Sequence, residues 1–165
     1  MQPHEIKPDT GLCTILGYNA QTGYGRKYFN AILKENHLNA TAIALNITDE
    51  HFEFTMQSVG ESKVDKMIIE REFQERVVGY CDYLNSDAKR FGYVDFIEVT
   101  DGRVEGYSLD SEVEKLFDNP EFLDDQIRFV TKMMLIANRW YGATIEVDTI
   151  PLLIEKKKDK MEKMI

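Results

Sequence analysis

The chain has 165 residues, 43% of them hydrophobic and 30% charged, a composition ordinary for a soluble globular protein long enough to bury a core. A formal net charge of −9 argues against non-specific nucleic-acid binding, which needs basic surface to displace counterions from phosphates. No apolar run approaches the roughly 18 residues of a membrane span, and the N-terminus MQPHEIKPDTG lacks the apolar core of a signal peptide, so no membrane association and a cytoplasmic location are expected.

Cys13 and Cys81 form no CxxC pair, and His4, His37 and His51 follow no metal-ligand spacing, so neither a metal nor a disulfide is expected. Both cysteines sit in apolar stretches and read as buried thiols in a reducing compartment.

The expected organisation is a single domain over residues 1–165: an irregular arm 1–11, an α/β portion 12–110 and helices over 111–165. Leu12–Tyr18 is an apolar run suited to a buried strand. A loop, Asn19–Gly25, leads to a helix Arg26–Asn36 with Tyr28, Phe29, Ile32 and Leu33 on one face. Gly23-Tyr24-Gly25 superficially suggests a dinucleotide loop, but Tyr28 stands where the third glycine belongs, and a glycine-rich turn is the plainer reading. Thr41–Ile47 is a second strand, and Thr48 is placed to cap a helix Asp49–Val59 that turns Phe52 and Met56 inward. A third strand begins at Lys66–Ile69. Val77, Val78, Cys81 and Leu84 predict a helix over Phe73–Asn85, followed by a short helical turn Ser86–Phe91. Alternating runs Tyr93–Thr100 and Arg103–Ser108 flank Asp101-Gly102, a strong hairpin signal because a type I′ turn needs positive φ at both central residues. The hairpin ends on Asp110, which is placed either to cap the helix SEVEKLF or to meet a ligand at a strand end. Asp118-Asn119-Pro120 opens a long helix Glu121–Tyr141 closed by Gly142, and Asp148 is placed to cap a last helix through Met164 with Pro151 in its first turn. This alternation predicts an α/β fold: a mostly parallel sheet with one antiparallel hairpin, closed by C-terminal helices.

Several strings, in this order and spacing, resemble the substrate-binding domain of shikimate dehydrogenases. GYNAQTGYGRKYFNA keeps the family's distance from its G-x-P-x-x-x-S-x-S-P loop to the Asn-Ala of the next helix, here Asn30-Ala31. GYVD at Gly92–Asp95, the Asp101-Gly102 turn and GYSLD at Gly106–Asp110 follow the family's strand start, hairpin and Gly-Tyr-Asn-Thr-Asp string. NRWYGATIEVD is similar to the helix that returns to this domain near the family's C-terminus. The resemblance covers most of residues 12–110 and again roughly 126–155. It implies the amino-acid-dehydrogenase-like α/β fold. The family's nucleotide-binding domain has no counterpart between these parts, where only a short segment around Phe117–Leu123 connects them; no cofactor is expected.

Matched residue by residue, the resemblance places Gly23 and Gly25 where the family holds its substrate carboxylate with two serines. It places Gln74 at the catalytic lysine, Glu70 at a threonine, Glu72 at a proline, Asp95 at an asparagine and Lys132 at a substrate-binding glutamine. Only Asp110 is unchanged. Gln74 cannot exchange the proton that accompanies hydride transfer, and Glu70 and Asp95 beside Asp110 would repel a carboxylate by about 1 kcal/mol per charge at 4 Å in water, and more in a cleft. Shikimate oxidation is therefore expected to be absent.

The acidic group Glu70, Asp95 and Asp110 is suited to a cation, an amine or a partner's basic side chain, or is a disused pocket neutralised by Arg26, Arg71 or Lys132. The leading expectation is a non-catalytic binding or protein-interaction protein, a homodimer or one with a dedicated partner. Phe117, Phe122, Phe129, Met133 and Met134 would either contribute to an apolar association patch or pack the long helix into the core. The alternatives are a cofactor-free enzyme pairing Asp110 with Glu70 or Asp95, and a split dehydrogenase completed by a separate nucleotide-binding chain.

Overall fold

The computed structural model describes residues 5–163, with side chains through 158. Among these residues twelve strands and α-helices follow one another: β1 (Gly11–Gly17), α1 (Tyr24–Glu35), β2 (Ala40–Asn46), α2 (Asp49–Ser58), β3 (Lys66–Ile69), β4 (Tyr83–Leu84), α3 (Ser86–Phe91), β5 (Phe96–Thr100), β6 (Arg103–Tyr107), α4 (Asp110–Lys115), α5 (Asp125–Tyr141) and α6 (Ile150–Lys163). The strands form one sheet in the order β2-β1-β3-β5-β6-β4. Only β5 runs against the others, pairing antiparallel with β3 and β6, while β1 pairs parallel with β2 and β3, and β4 with β6. The expected α/β sheet with its antiparallel hairpin is present. Asp101 and Gly102 have φ of 51° and 79°, the left-handed pair that a type I′ turn requires.

Each sheet face has its own core. On one face Cys13, Ile15, Ile68 and Phe96 pack against Phe29, Ile32 and Leu33 of α1 and Val130, Met133 and Ile136 of α5. On the other, Leu16, Met67, Ile69 and Ile97 meet Phe52 and Met56 of α2 together with Phe73 and Val77. The open edge of β2 is partly covered by α1. Asn30 accepts from the Ala42 N–H at 2.8 Å, so a side chain occupies the position a further strand would take.

Four boundary expectations are corrected. Phe73–Asn85 is not an α-helix: it forms 3₁₀ turns at Arg71–Phe73 and Arg76–Tyr80 and then strand β4. The Asp82 N–H donates to Val104 O at 2.7 Å and that of Asn85 to Gly106 O at 3.0 Å, so pairing with β6 captures the chain that helical spacing had suggested. The long helix starts at Asp125, where Asp124 accepts from Ile127 N at 2.8 Å, and Pro120–Phe122 is a separate 3₁₀ turn. Thr48 holds the N-cap position of α2 without a capping bond, its hydroxyl meeting His51 Nδ1 at 2.9 Å instead. Asp148 lies inside a 3₁₀ turn, Val147–Thr149, ahead of α6, and Met164 and His4 lie outside the described residues. Gly142 closes α5 at φ 78°, as expected. Among the described residues, no helix is long and apolar enough to cross a membrane.

Candidate functional site

The carboxyl ends of β1, β3 and β6 open into a cleft of about 1230 Å³, walled by the start of α1 and the side of α5. This is where open α/β sheets expose chain ends that no strand neighbour occupies. Glu70, Asp95, Asp110, Gln74, Lys132, Gly23 and Gly25 all line it. They do not form one acidic cluster, however. They divide into two poles.

The first pole is built on Lys132 from α5. Its Nζ lies 2.9 Å from Asp95 Oδ1 and 2.7 Å from Asp110 Oδ1. Asp95 is 3% exposed, and its other oxygen accepts from the Leu109 N–H at 2.8 Å. The Gln74 amide donates to Ile69 O at 3.1 Å and, more distantly, to Asp95 Oδ1 at 3.5 Å. The Tyr93 hydroxyl donates to Asp110 Oδ2, and its ring lies 5.2 Å beneath Lys132 Nζ. Burial by itself lowers the Lys132 pKa, but Asp95 and Asp110 outweigh it and raise the pKa above the ordinary lysine value. Lys132 is thus a fixed cation near neutral pH, not a proton acceptor. Asp110 is neither a helix cap nor a free carboxylate: it opens α4, whose N-cap position is Leu109, and its charge is matched.

The second pole is Glu70, just past β3. Its Oε1 is buried without a hydrogen-bond partner among the described residues. Burial pushes its carboxyl up to about 7, and the negative charge of Glu72 adds to the rise. The side chain fits because three glycines make room. A Cβ at Gly17 would stand 2.7 Å from Glu70 Cγ, one at Gly25 would stand 2.8 Å from Oε1, and one at Gly23 would stand 3.3 Å from the same oxygen. Gly23 and Gly25 are therefore not merely positions that lack a hydroxyl; they form a slot for Glu70.

Of the neutralising cations expected, only Lys132 has that role. Arg26 donates to Ala42 O at 3.3 Å, and no ion pair of Arg71 occurs among the described residues. Glu70, Asp95 and Asp110 do not come together as a metal-holding group among the described residues. Of the two roles open to the apolar residues here, Met133 and Met134 take core packing, at 4% exposure each, while Phe129 lines the cleft, Phe117 is half-buried and Phe122 is broadly exposed. The sequence reading missed the aromatic walls, made by Tyr24, Tyr28, Phe129 and Tyr93. The helical spacing of Tyr24, Tyr28 and Phe129 within α1 and α5 is the same one that core residues show, and Tyr93 sits in the short link between α3 and β5, so no local signal separates them.

No family model matches the chain. It is 23% identical over 107 residues to the shikimate dehydrogenase (NADP(+)) of Methanopyrus kandleri, covering 65% of this chain and 37% of that protein. It is 25% identical over 105 residues to that of Aquifex aeolicus, covering 64% and 39%. The chain thus spans less than two fifths of the length of these curated relatives. The crystal structure of the Aquifex aeolicus shikimate dehydrogenase superposes with a TM-score of 0.59 at 20% identity, over 79% of this chain and 54% of that one. Over about 65% of its length the chain is related to the shikimate dehydrogenases, to the extent expected of a partial substrate-binding domain.

Proposed function

We propose that the chain is a non-catalytic binding protein derived from a shikimate-dehydrogenase-type substrate domain, taking a small polar molecule in the cleft and not oxidising shikimate. The observation that carries this reading is Gln74. It stands at the position matched to the family's lysine, and its amide is tied to Ile69 O. The other lysine in the cleft is held between Asp95 and Asp110 and has no free pair of electrons to accept a proton. The glycine slot is filled by Glu70, so the two positions matched to the family's serines offer a carboxylate substrate neither hydroxyls nor space.

Spectrophotometry at 340 nm with NADP+ and shikimate tests the reading. The expected result is no cofactor reduction above a protein-free blank, and a rate proportional to protein concentration would overturn it. A dehydrogenase completed by a separate nucleotide-binding chain is not favoured, because a partner cannot supply a lysine where Gln74 stands. A second reading, a cofactor-free acid–base enzyme, draws on Glu70, whose carboxyl near 7 is poised for proton transfer. For that reading Glu70 replaces Asp110 as the acid–base group, and loss of any screened activity in Glu70→Gln would support it. A homodimer or a dedicated protein partner, and a cytoplasmic location, belong to the same proposal.

A further inference from the structure

One wall of the cleft pairs a carboxylate with aromatic rings. Phe129 Cζ lies 3.5 Å from where a Cβ at Gly25 would stand, and Glu70 Oε1 lies 2.8 Å from the same point, so ring and carboxyl adjoin beside Gly25. Tyr28 meets Phe129 edge-on at 6.3 Å, and Tyr24 stacks on Tyr28 at 6.3 Å. Tyr24 is 55% exposed, so these rings lead from solvent to Glu70. The outermost already faces a cation, Lys27 Nζ, at 5.6 Å.

No described residue of the cleft neutralises Glu70. From its own segment it faces Glu72, which repels it. Tyr24 and Tyr28 of α1 bring phenols, and Asp125 of α5 brings a further carboxylate. On α5, Arg128 is engaged by Pro120 O and Glu114, and Lys132 by Asp95 and Asp110. Arg71, the next residue, is exposed and has no ion pair among the described residues. Across the cleft, Asp95, Asp110 and Tyr93 are bonded to one another through Lys132 and the Tyr93 hydroxyl.

Building on the binding function above, we propose that the cleft selects an organic cation, a small alkylammonium group seated between Glu70 and the Tyr24–Tyr28–Phe129 rings. An ammonium supplies the donor that the unpartnered carboxyl lacks, and aromatic faces attract it further through their quadrupoles. A divalent metal fits less well, since it requires several oxygen ligands and Glu70 offers one carboxylate.

The test is an NMR titration of the ¹⁵N-labelled chain with propylamine, propanol and propionate, which share a skeleton and differ in charge. Propylammonium is expected to shift the Gly23 and Gly25 amides saturably and to bind about tenfold more tightly at pH 8 than at pH 6, the ratio of ionised Glu70 for a carboxyl titrating near 7. Glu70→Gln, with its spectrum checked for an intact fold, is expected to lose both the binding and the pH slope. Saturable binding of propanol or propionate in place of propylamine would overturn the ligand class while leaving the binding function standing. Failure of all three to perturb the cleft would overturn both.

Discussion

Lys132 and Glu70 show how single side chains set the character of this cleft. Lys132 holds two carboxylates, one of them 3% exposed, and removing it strands a buried charge. Lys132→Met is therefore expected to cost about 3–5 kcal/mol in urea unfolding, the loss typical of breaking a buried pair from one side. Asp95→Asn should cost less, because an amide still accepts from the Leu109 N–H and leaves Lys132 with Asp110. Glu70 and Gly25 are coupled by contact. Gly25→Ser is expected to destabilise by about 1–3 kcal/mol through overpacking against the Glu70 carboxyl. Combining it with Glu70→Thr should recover part of that loss, and a double-mutant cycle that is strictly additive would refute the coupling. The same scale explains Trp140 and Arg139 in the NRWYG string. Arg139 donates to both Glu98 oxygens at 2.8 and 2.9 Å, and Trp140 Nε1 donates to Glu98 at 2.7 Å. These residues clamp α5 to β5, a structural role that neither residue type announces in sequence.

At the scale of elements, ends are decided by local chemistry and interiors by what packs against them. Asp124 caps α5 through Ile127 N, Asn85 caps α3 through Ala88 N, and Gly92 and Gly142 close the same two helices at φ of 76° and 78°. Asp124→Ala is expected to cost about 1 kcal/mol in thermal or urea unfolding, the usual value of a lost N-cap. The helix α5 carries Lys132 and Phe129 into the cleft, so fraying its first turn should also weaken any cleft ligand. The stretch after β3 shows the opposite case. Val77 and Leu84 are spaced as in a helix, yet Asp82 and Asn85 find backbone partners on β6, and the chain takes strand and 3₁₀ geometry instead. Periodicity reports which residues are apolar, not which neighbour will satisfy the backbone between them.

For the whole molecule, the two cores on opposite sheet faces orient the ends of β1, β3 and β6 toward one cleft and leave α5 as its wall. A homodimer would appear by light scattering at about twice the 19.2 kDa of the chain, and a concentration-independent monomer mass would count against self-association. The alternating strands, the Asp101-Gly102 turn and the apolar faces of α1 and α2 were all legible from sequence, because strand period, left-handed turns and helical faces depend on neighbours a few residues apart. So was the set of residues that meet in the cleft, since Glu70, Asp95, Asp110, Gln74, Lys132, Gly23 and Gly25 were matched by position to one family site. Their pairing was not. That Lys132 takes both aspartates and that Glu70 is left alone in a slot of glycines were decided by distances between β3, β6, α1 and α5. Charge neutralisation and burial depend on separations of a few ångströms between residues far apart in the chain, and only the packed tertiary structure sets them.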